Sequence, residues 1–294
     1  MPHLTADDGI RLYYEEAGSG TPIVCVHEFA GDCRSYEPQL RYFARRYRVI
    51  AYNARGYPPS DVPAMPERYS QDRARDDIRA VLDALGIARA HIVGVSMGAY
   101  ATLHFGLHYP DRALSLVLGG CGHGSTTDAA ERRRFQEDAA GTAAALEAQG
   151  MAGFARSYAV SPTRVRFERK DPRGWKEFAE QLGAHSAVGS AMTLRRVQGR
   201  RPSLYDLEPE LARLAVPVLI ATGDEDWPCL EPAIFLKRAI ATAALAVLPL
   251  TGHTLNTEEP DGFNRLCDEF FHQVESGRWP ARDPVAPDAS AFGR

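Results

Sequence analysis

Ser96 has a glycine two residues away on either side, in the run Gly94-Val95-Ser96-Met97-Gly98. The run lies where the apolar stretch His91-Ile92-Val93-Gly94-Val95, read as a buried strand, meets a helix expected from Met97 to about His108. A sharp turn between the two would hold the serine in a strained conformation with its hydroxyl above the sheet. Larger side chains at the glycine positions would collide across that turn. The adjacent helix N-terminus favours a developing negative charge. A serine hydroxyl is a weak nucleophile until a base takes its proton, so a histidine is required on a loop at the same sheet edge. His253, in Thr251-Gly252-His253-Thr254, directly follows the apolar run Leu245 to Leu250 and fits. His91 begins its strand and so sits at the wrong end, and His104, His108 and His272 fall within helical stretches. His123 follows a strand at the correct edge but precedes any suitable acid, and is read as facing substrate.

The third group must be a carboxylate that orients the imidazole and stabilises its charged form. Gly223-Asp224-Glu225-Asp226-Trp227-Pro228 offers three acids after the strand Val216 to Thr222. Asp226, a few residues beyond the strand, is placed to reach the histidine loop, with Asp224 as the alternative. Two backbone N–H groups are needed where negative charge develops. Met97 supplies one, and the loop His27-Glu28-Phe29-Ala30-Gly31 the other, assigned to Phe29.

The elements that must position these residues alternate. Ile23-Val24-Cys25-Val26 and Val49-Ile50-Ala51-Tyr52 are continuous and rich in β-branched residues, as strands buried on both faces are. Between them Tyr36 to Arg46 reads as a helix. From Asp72 to Leu85 the residues Ile78, Val81, Leu82 and Leu85 recur at helical spacing, with Gly86 to end the helix. Ala113 to Leu118 is the next strand. The pattern predicts an α/β fold, a mostly parallel doubly wound sheet with helices on both faces. The alternation breaks between about His123 and Glu208, where Ala, Arg, Glu and aromatic residues recur in helical spacing, and resumes with strands at Val216 to Thr222 and Leu245 to Leu250 and helices at Glu231 to Ile240 and Glu258 to Val274. One core of residues 1–122 and 209–276, a helical lid over 123–208 and an irregular C-terminal tail over 277–294 follow. Within the lid Phe154, Tyr158, Phe167, Trp175 and Phe178 are either its own core or the walls of an apolar pocket, and Trp227, beside the proposed acid, is a further wall.

The chain has 294 residues, 45% hydrophobic and 24% charged, close to globular averages. Its net charge of -4 is spread along the chain and selects neither nucleic acid nor an anionic membrane. The runs Arg45-Arg46, Arg132-Arg133-Arg134 and Arg200-Arg201 read as solvated faces. Five scattered cysteines without a CxxC pair read as reduced, buried thiols. The first residues lack a signal-peptide pattern and no apolar stretch approaches 20 residues, so a cytoplasmic protein is expected. Neither metal nor organic cofactor is called for. The apolar pattern does not separate a subunit interface from core, which leaves a homo-oligomer open.

Together the serine turn, the order Ser96, Asp226, His253 and the strand pattern resemble the α/β-hydrolase superfamily, in its lidded esterase, haloperoxidase-like and epoxide-hydrolase-like branch. The resemblance covers about residues 10 to 275 apart from the lid. Asn53-Ala54-Arg55-Gly56-Tyr57-Pro58-Pro59-Ser60-Asp61 is similar to the family's D-x-R-G-x-G-x-S loop, and Asp226 occupies the last place of its G-x-x-D pattern. A serine at the turn argues against epoxide hydrolases and dehalogenases, which carry aspartate there. Two departures stand out: Tyr57-Pro58-Pro59 replaces a glycine turn, and His27-Glu28 replaces the usual His-Gly. Glu28 is either an outward, solvated side chain or a group that tunes the nucleophile or selects substrate, as a glutamate does in dienelactone-hydrolase-like enzymes. The resemblance implies hydrolysis of a carboxylic ester or lactone through an acyl-enzyme on Ser96. Cleavage of a carbon–carbon bond in a vinylogous diketone and acyl transfer to peroxide use the same electrophilic carbonyl. A non-catalytic receptor on the same fold is the third reading.

Overall fold

The structure, a computed structural model, describes residues 2–283. Eight strands, β1 (His3–Thr5), β2 (Arg11–Ala17), β3 (Thr21–Val26), β4 (Tyr47–Tyr52), β5 (Ala90–Val95), β6 (Ala113–Gly119), β7 (Val218–Gly223) and β8 (Ala243–Leu248), form one sheet in the order β1-β2-β4-β3-β5-β6-β7-β8. All pairings from β4 to β8 are parallel, and β2 runs antiparallel to both β1 and β4. Alternate residues of the central strands enter opposite cores. Val24, Ile50, Ile92, Leu116 and Ile220 pack on one face with α2 (Gln71–Ala84), α3 (Met97–His108) and α9 (Trp227–Ala239), while Ile23, Val49, Val93, Val117 and Leu219 pack on the other with α1 (Glu37–Phe43) and α11 (Pro260–Glu275). Burial on both faces is why these strands read as unbroken apolar runs.

Between β6 and β7 the chain is helical: α4 (Ala129–Tyr158), interrupted at Gly150 where φ is 73°, then α5 (Val165–Lys170), α6 (Pro172–Gly183), α7 (Ala187–Met192) and α8 (Glu208–Leu211). No strand occurs there among the described residues. Leu146, Met151, Phe154, Phe167, Phe178, Leu182 and Leu194 of this segment form a third core with Phe29, Tyr57 and Met97. The segment therefore packs over the C-terminal ends of the strands.

Several boundaries differ from the sequence expectation, each for a local reason. The first helix starts at Glu37, after a 3-10 turn over Cys33–Tyr36 capped by the Asp32 side chain, and ends at Phe43, where residues 44–46 turn into β4. The last strand ends at Leu248, before Leu250 turns the chain with a φ of 53°. α9 starts at Trp227, with Pro228 in the first turn where a missing N–H costs nothing. The closing helix is divided at Glu259 into α10 (Leu255–Glu258) and α11, again with proline at its start. β1 and β2 had no sequence signal, because β2 is half-exposed and carries Glu15 and Glu16. Residues 277–283 form neither helix nor strand but are docked: the Trp279 indole donates to the Thr242 carbonyl at 2.8 Å and its ring packs on Phe270. The rest of the expected tail lies outside the described residues. All five cysteines are free and buried. No described helix is long and apolar enough to cross a membrane.

Candidate active site

Ser96 has φ 54° and ψ −113°, a left-handed conformation rare outside glycine, held by its N–H donating to the Gly119 carbonyl at 2.7 Å. The turn depends on Gly98, where a Cβ would lie 1.9 Å from the Val26 carbonyl oxygen, and on Gly94, where one would lie 2.3 Å from the Gly98 carbonyl oxygen. The close approach at Gly98 brings the loop after β3 against the first turn of α3. Phe29 and Met97 are both buried there in the third core, so the two proposed N–H donors come from adjoining segments.

His253 Nε2 lies 2.7 Å from Ser96 Oγ, and its Nδ1 lies 2.7 Å from Asp226 Oδ2. An ionised carboxylate only accepts, so Nδ1 carries the proton and Nε2 is left to accept from the serine hydroxyl. Burial opposes ionisation of Asp226, yet the charge and hydrogen bond of His253 outweigh it and hold the carboxyl below its usual range. Asp224 is elsewhere, accepting from the Thr251 N–H at 3.0 Å. The imidazole loop is pinned from both sides: His253 N–H donates to the Thr163 carbonyl at 3.1 Å, and Gly252 N–H to Glu258 at 2.9 Å.

Glu28 is neither solvated nor free. It is 4% exposed and ion-paired with Arg164, itself 1% exposed, through Nη1–Oε1 at 2.9 Å and Nη2–Oε2 at 2.5 Å. Burial works against the Glu28 charge, but Arg164 more than compensates, with help from His253 and His27, so the carboxyl stays below its usual range. Arg164 lies over the rings of Tyr158 (5.3 Å) and Phe178 (5.0 Å), and Tyr158 meets Phe29 edge-on at 6.0 Å. His27 shapes the same loop. Its Nε2 accepts from the Ala54 N–H at 3.0 Å, so its Nδ1–H donates to the Glu28 carbonyl at 2.6 Å, fixing the peptide unit whose other end is the Phe29 N–H. Burial pushes the His27 pKa down to about 4, which keeps this neutral tautomer at physiological pH. Tyr57 donates to the Phe29 carbonyl at 2.9 Å. Sequence reasoning assigned no role to His27, Tyr57, Thr163 or Arg164. The His-Glu pair was a signal for the first, but nothing near position 164 marks it among the arginines of that stretch.

His123 is exposed, and its ring meets Phe135 edge-on at 5.3 Å. Burial, then the charges of His253 and Arg201, lower its pKa to about 4, so it is neutral. Two expected pocket walls are corrected. Trp227 is 74% exposed, because the first residue of α9 points away from the acid that precedes it. The Trp175 indole donates to the Ala159 carbonyl at 2.8 Å and lines a separate groove between α4 and α6. Arg201, expected on a solvated face, is 2% exposed, stacks on Tyr100 at 3.5 Å and donates to the His123 carbonyl at 2.6 Å. Asp226, His253 and Cys229 bring three possible metal donors within 4.8 Å of one another. The first two are already joined by a hydrogen bond, and burial raises the Cys229 thiol far above its ordinary pKa, which disfavours the thiolate a metal needs.

The 3-oxoadipate enol-lactonase 2 of Acinetobacter baylyi is 26% identical over 268 residues, covering 90% of this chain and 94% of that protein. The 2-hydroxy-6-oxo-6-phenylhexa-2,4-dienoate hydrolase of Comamonas testosteroni is 28% identical, covering 89% and 91%. The structure of a thermophilic esterase from Thermogutta terrifontis superposes with a TM-score of 0.80 at 24% identity, covering 93% and 98%, a likeness of fold. A sequence model described as the alpha/beta hydrolase fold matches residues 21–260. Those residues contain both the parallel sheet and the hydrogen-bonded Ser96, His253 and Asp226, and with so much of the chain matched the protein belongs to the α/β-hydrolase family.

Proposed function

We propose that the protein is a serine hydrolase of carboxylic esters or lactones. The observation that carries this reading is the unbroken chain of hydrogen bonds from Ser96 Oγ through His253 to Asp226, with the serine in a strained turn. Ser96 Oγ attacks the substrate carbonyl carbon while His253 Nε2 takes the hydroxyl proton. The oxygen of the tetrahedral intermediate is held by the N–H groups of Met97 and Phe29. Collapse breaks the bond to the alcohol oxygen, which leaves with the proton from His253. Water then adds to the acyl-enzyme, giving its proton to His253, and the carboxylic acid is released as Ser96 recovers its proton. Asp226 keeps the imidazole in the right tautomer and balances its transient charge. The helical segment over 123–208 serves as a lid that excludes water. Tyr158 borders the acyl group beside Phe29, and His123 offers a neutral imidazole to it. No step calls for a metal or organic cofactor.

The same attack on a different carbonyl would cleave a carbon–carbon bond; the Comamonas relative is named as a hydrolase of a dienoate that carries a 6-oxo group. Product analysis on esters, lactones and diketones separates these. The test of the shared mechanism is intact-protein mass after a fluorophosphonate probe, on the native chain and on Ser96→Ala. One adduct on the native chain alone is expected, together with a loss of kcat on an activated ester of about 10⁴-fold or more in the variant. No adduct and near-zero turnover across varied esters would instead identify a binding protein on this fold.

A further inference from the structure

Two buried charges lie against the loop that carries Phe29 and cancel. Arg164 is the guanidinium that comes from the helical segment into the aromatic cluster around Phe29, beside Tyr158 and Phe178. Both of its terminal nitrogens are taken by the two oxygens of Glu28, which is contributed by the oxyanion loop itself. Phe154, Met151 and Leu194 pack in the same cluster as Phe29 and Met97. A guanidinium in such a place would be the natural anchor for the carboxylate of an acidic substrate, because a planar fork of N–H donors matches a carboxylate. Here that position is occupied by a carboxylate of the chain's own.

We infer that Glu28 sets the substrate class: by occupying Arg164 it makes the acyl pocket electrically neutral, so the enzyme takes esters or lactones with an uncharged, apolar acyl group and rejects those whose acyl group carries a second carboxylate. The inference rests on the ester-hydrolase reading above. An acidic acyl group would have to leave water for a largely aromatic cluster whose own guanidinium, Arg164, is already paired, or compete with Glu28 for it against like charge. A methyl-terminated chain meets neither cost and gains burial against the aromatic side chains. The departure from His-Gly to His27-Glu28 thereby acquires a purpose.

The test compares the p-nitrophenyl ester of hexanoic acid with the mono-p-nitrophenyl ester of adipic acid, which differ in a terminal methyl against a terminal carboxylate. The native enzyme is expected to favour the neutral ester in kcat/KM by about 100-fold, the scale of one uncompensated buried charge. Glu28→Gln, which leaves Arg164 uncompensated, should shrink that ratio at least tenfold by raising turnover of the acidic ester. Glu28→Gln combined with Arg164→Met removes both charges and should return the preference for the neutral ester. It also serves if the single variant fails to fold. Equal use of the two esters by the native enzyme, or an unchanged ratio in Glu28→Gln, overturns the inference. A native preference for the acidic ester does so as well and points to Arg201, whose Nε and Nη1 have no partner among the described residues. Failure to hydrolyse either ester with Ser96 unlabelled by the fluorophosphonate overturns the underlying hydrolase reading instead.

Discussion

Asp224 and Asp226 are two residues apart, yet they face different work. Asp224 accepts from the backbone N–H of Thr251 and so braces the loop after β8, whereas Asp226 lies fully buried with Oδ2 against the imidazole. Asp226→Asn is expected to lower kcat by about 10⁴-fold, since an amide can hold the histidine in the wrong tautomer. Asp224→Asn should cost far less, because the asparagine side-chain oxygen can still accept from Thr251. A steady-state assay on an activated ester decides between them, and the reverse ranking would move the role to Asp224. At this scale Ser96 and His253 were legible, because each sits in a short pattern directly after a strand. Trp227 and Trp175 were not, because the direction of a helical side chain depends on the phase of its helix and on the neighbours that claim it.

The turn between β5 and α3 is specified by contacts that only glycine can make. With the Gly98 Cα so close to β3 that any Cβ would overlap the Val26 carbonyl, Gly98→Ala should cost more than about 4 kcal/mol or leave the protein insoluble. Thermal unfolding followed by circular dichroism measures it, and a variant melting within a few degrees of the native chain would mean the turn can relax. The central parallel strands were readable because burial on both faces fills them mostly with apolar residues. The antiparallel β2 escaped because Glu15 and Glu16 lie along a half-exposed strand. Element ends were displaced where a proline or a left-handed residue, rather than hydrophobic spacing, decided the boundary, as at Pro228 and Pro260 for helices and Leu250 for a strand.

The helical segment is fastened to the rest of the fold by polar contacts that cross between them: Arg164 with Glu28, His185 with Asp32 at 3.2 Å and Lys170 with Glu258 at 3.2 Å. Burial opposes the Asp32 charge, but hydrogen bonds from His185 and Arg34 hold its carboxyl well below the usual range, and Glu28 is lowered too. A carboxylate depressed in the folded state contributes stability that is present above its unfolded value, about 4. That contribution is lost as pH falls through the folded value, because the unfolded chain then binds more protons. Melting temperatures measured from pH 7 to pH 2.5 should therefore fall below about pH 4, and Asp32→Asn should flatten the fall while costing about 3 kcal/mol at neutral pH. An equally steep fall in the variant would show that Asp32 is not among the carboxylates responsible. By itself the sequence determined the α/β alternation, the helical stretch between β6 and β7, the serine at its turn and the chain order of the three groups, since these depend on periodicity and on glycines within a few positions. Only the tertiary structure decided which acid meets His253, that Glu28 is buried against Arg164 rather than solvated, and that Trp227 faces water. Those outcomes join residues as much as 136 positions apart, and an attraction at that separation leaves no trace in local spacing until the chain has folded.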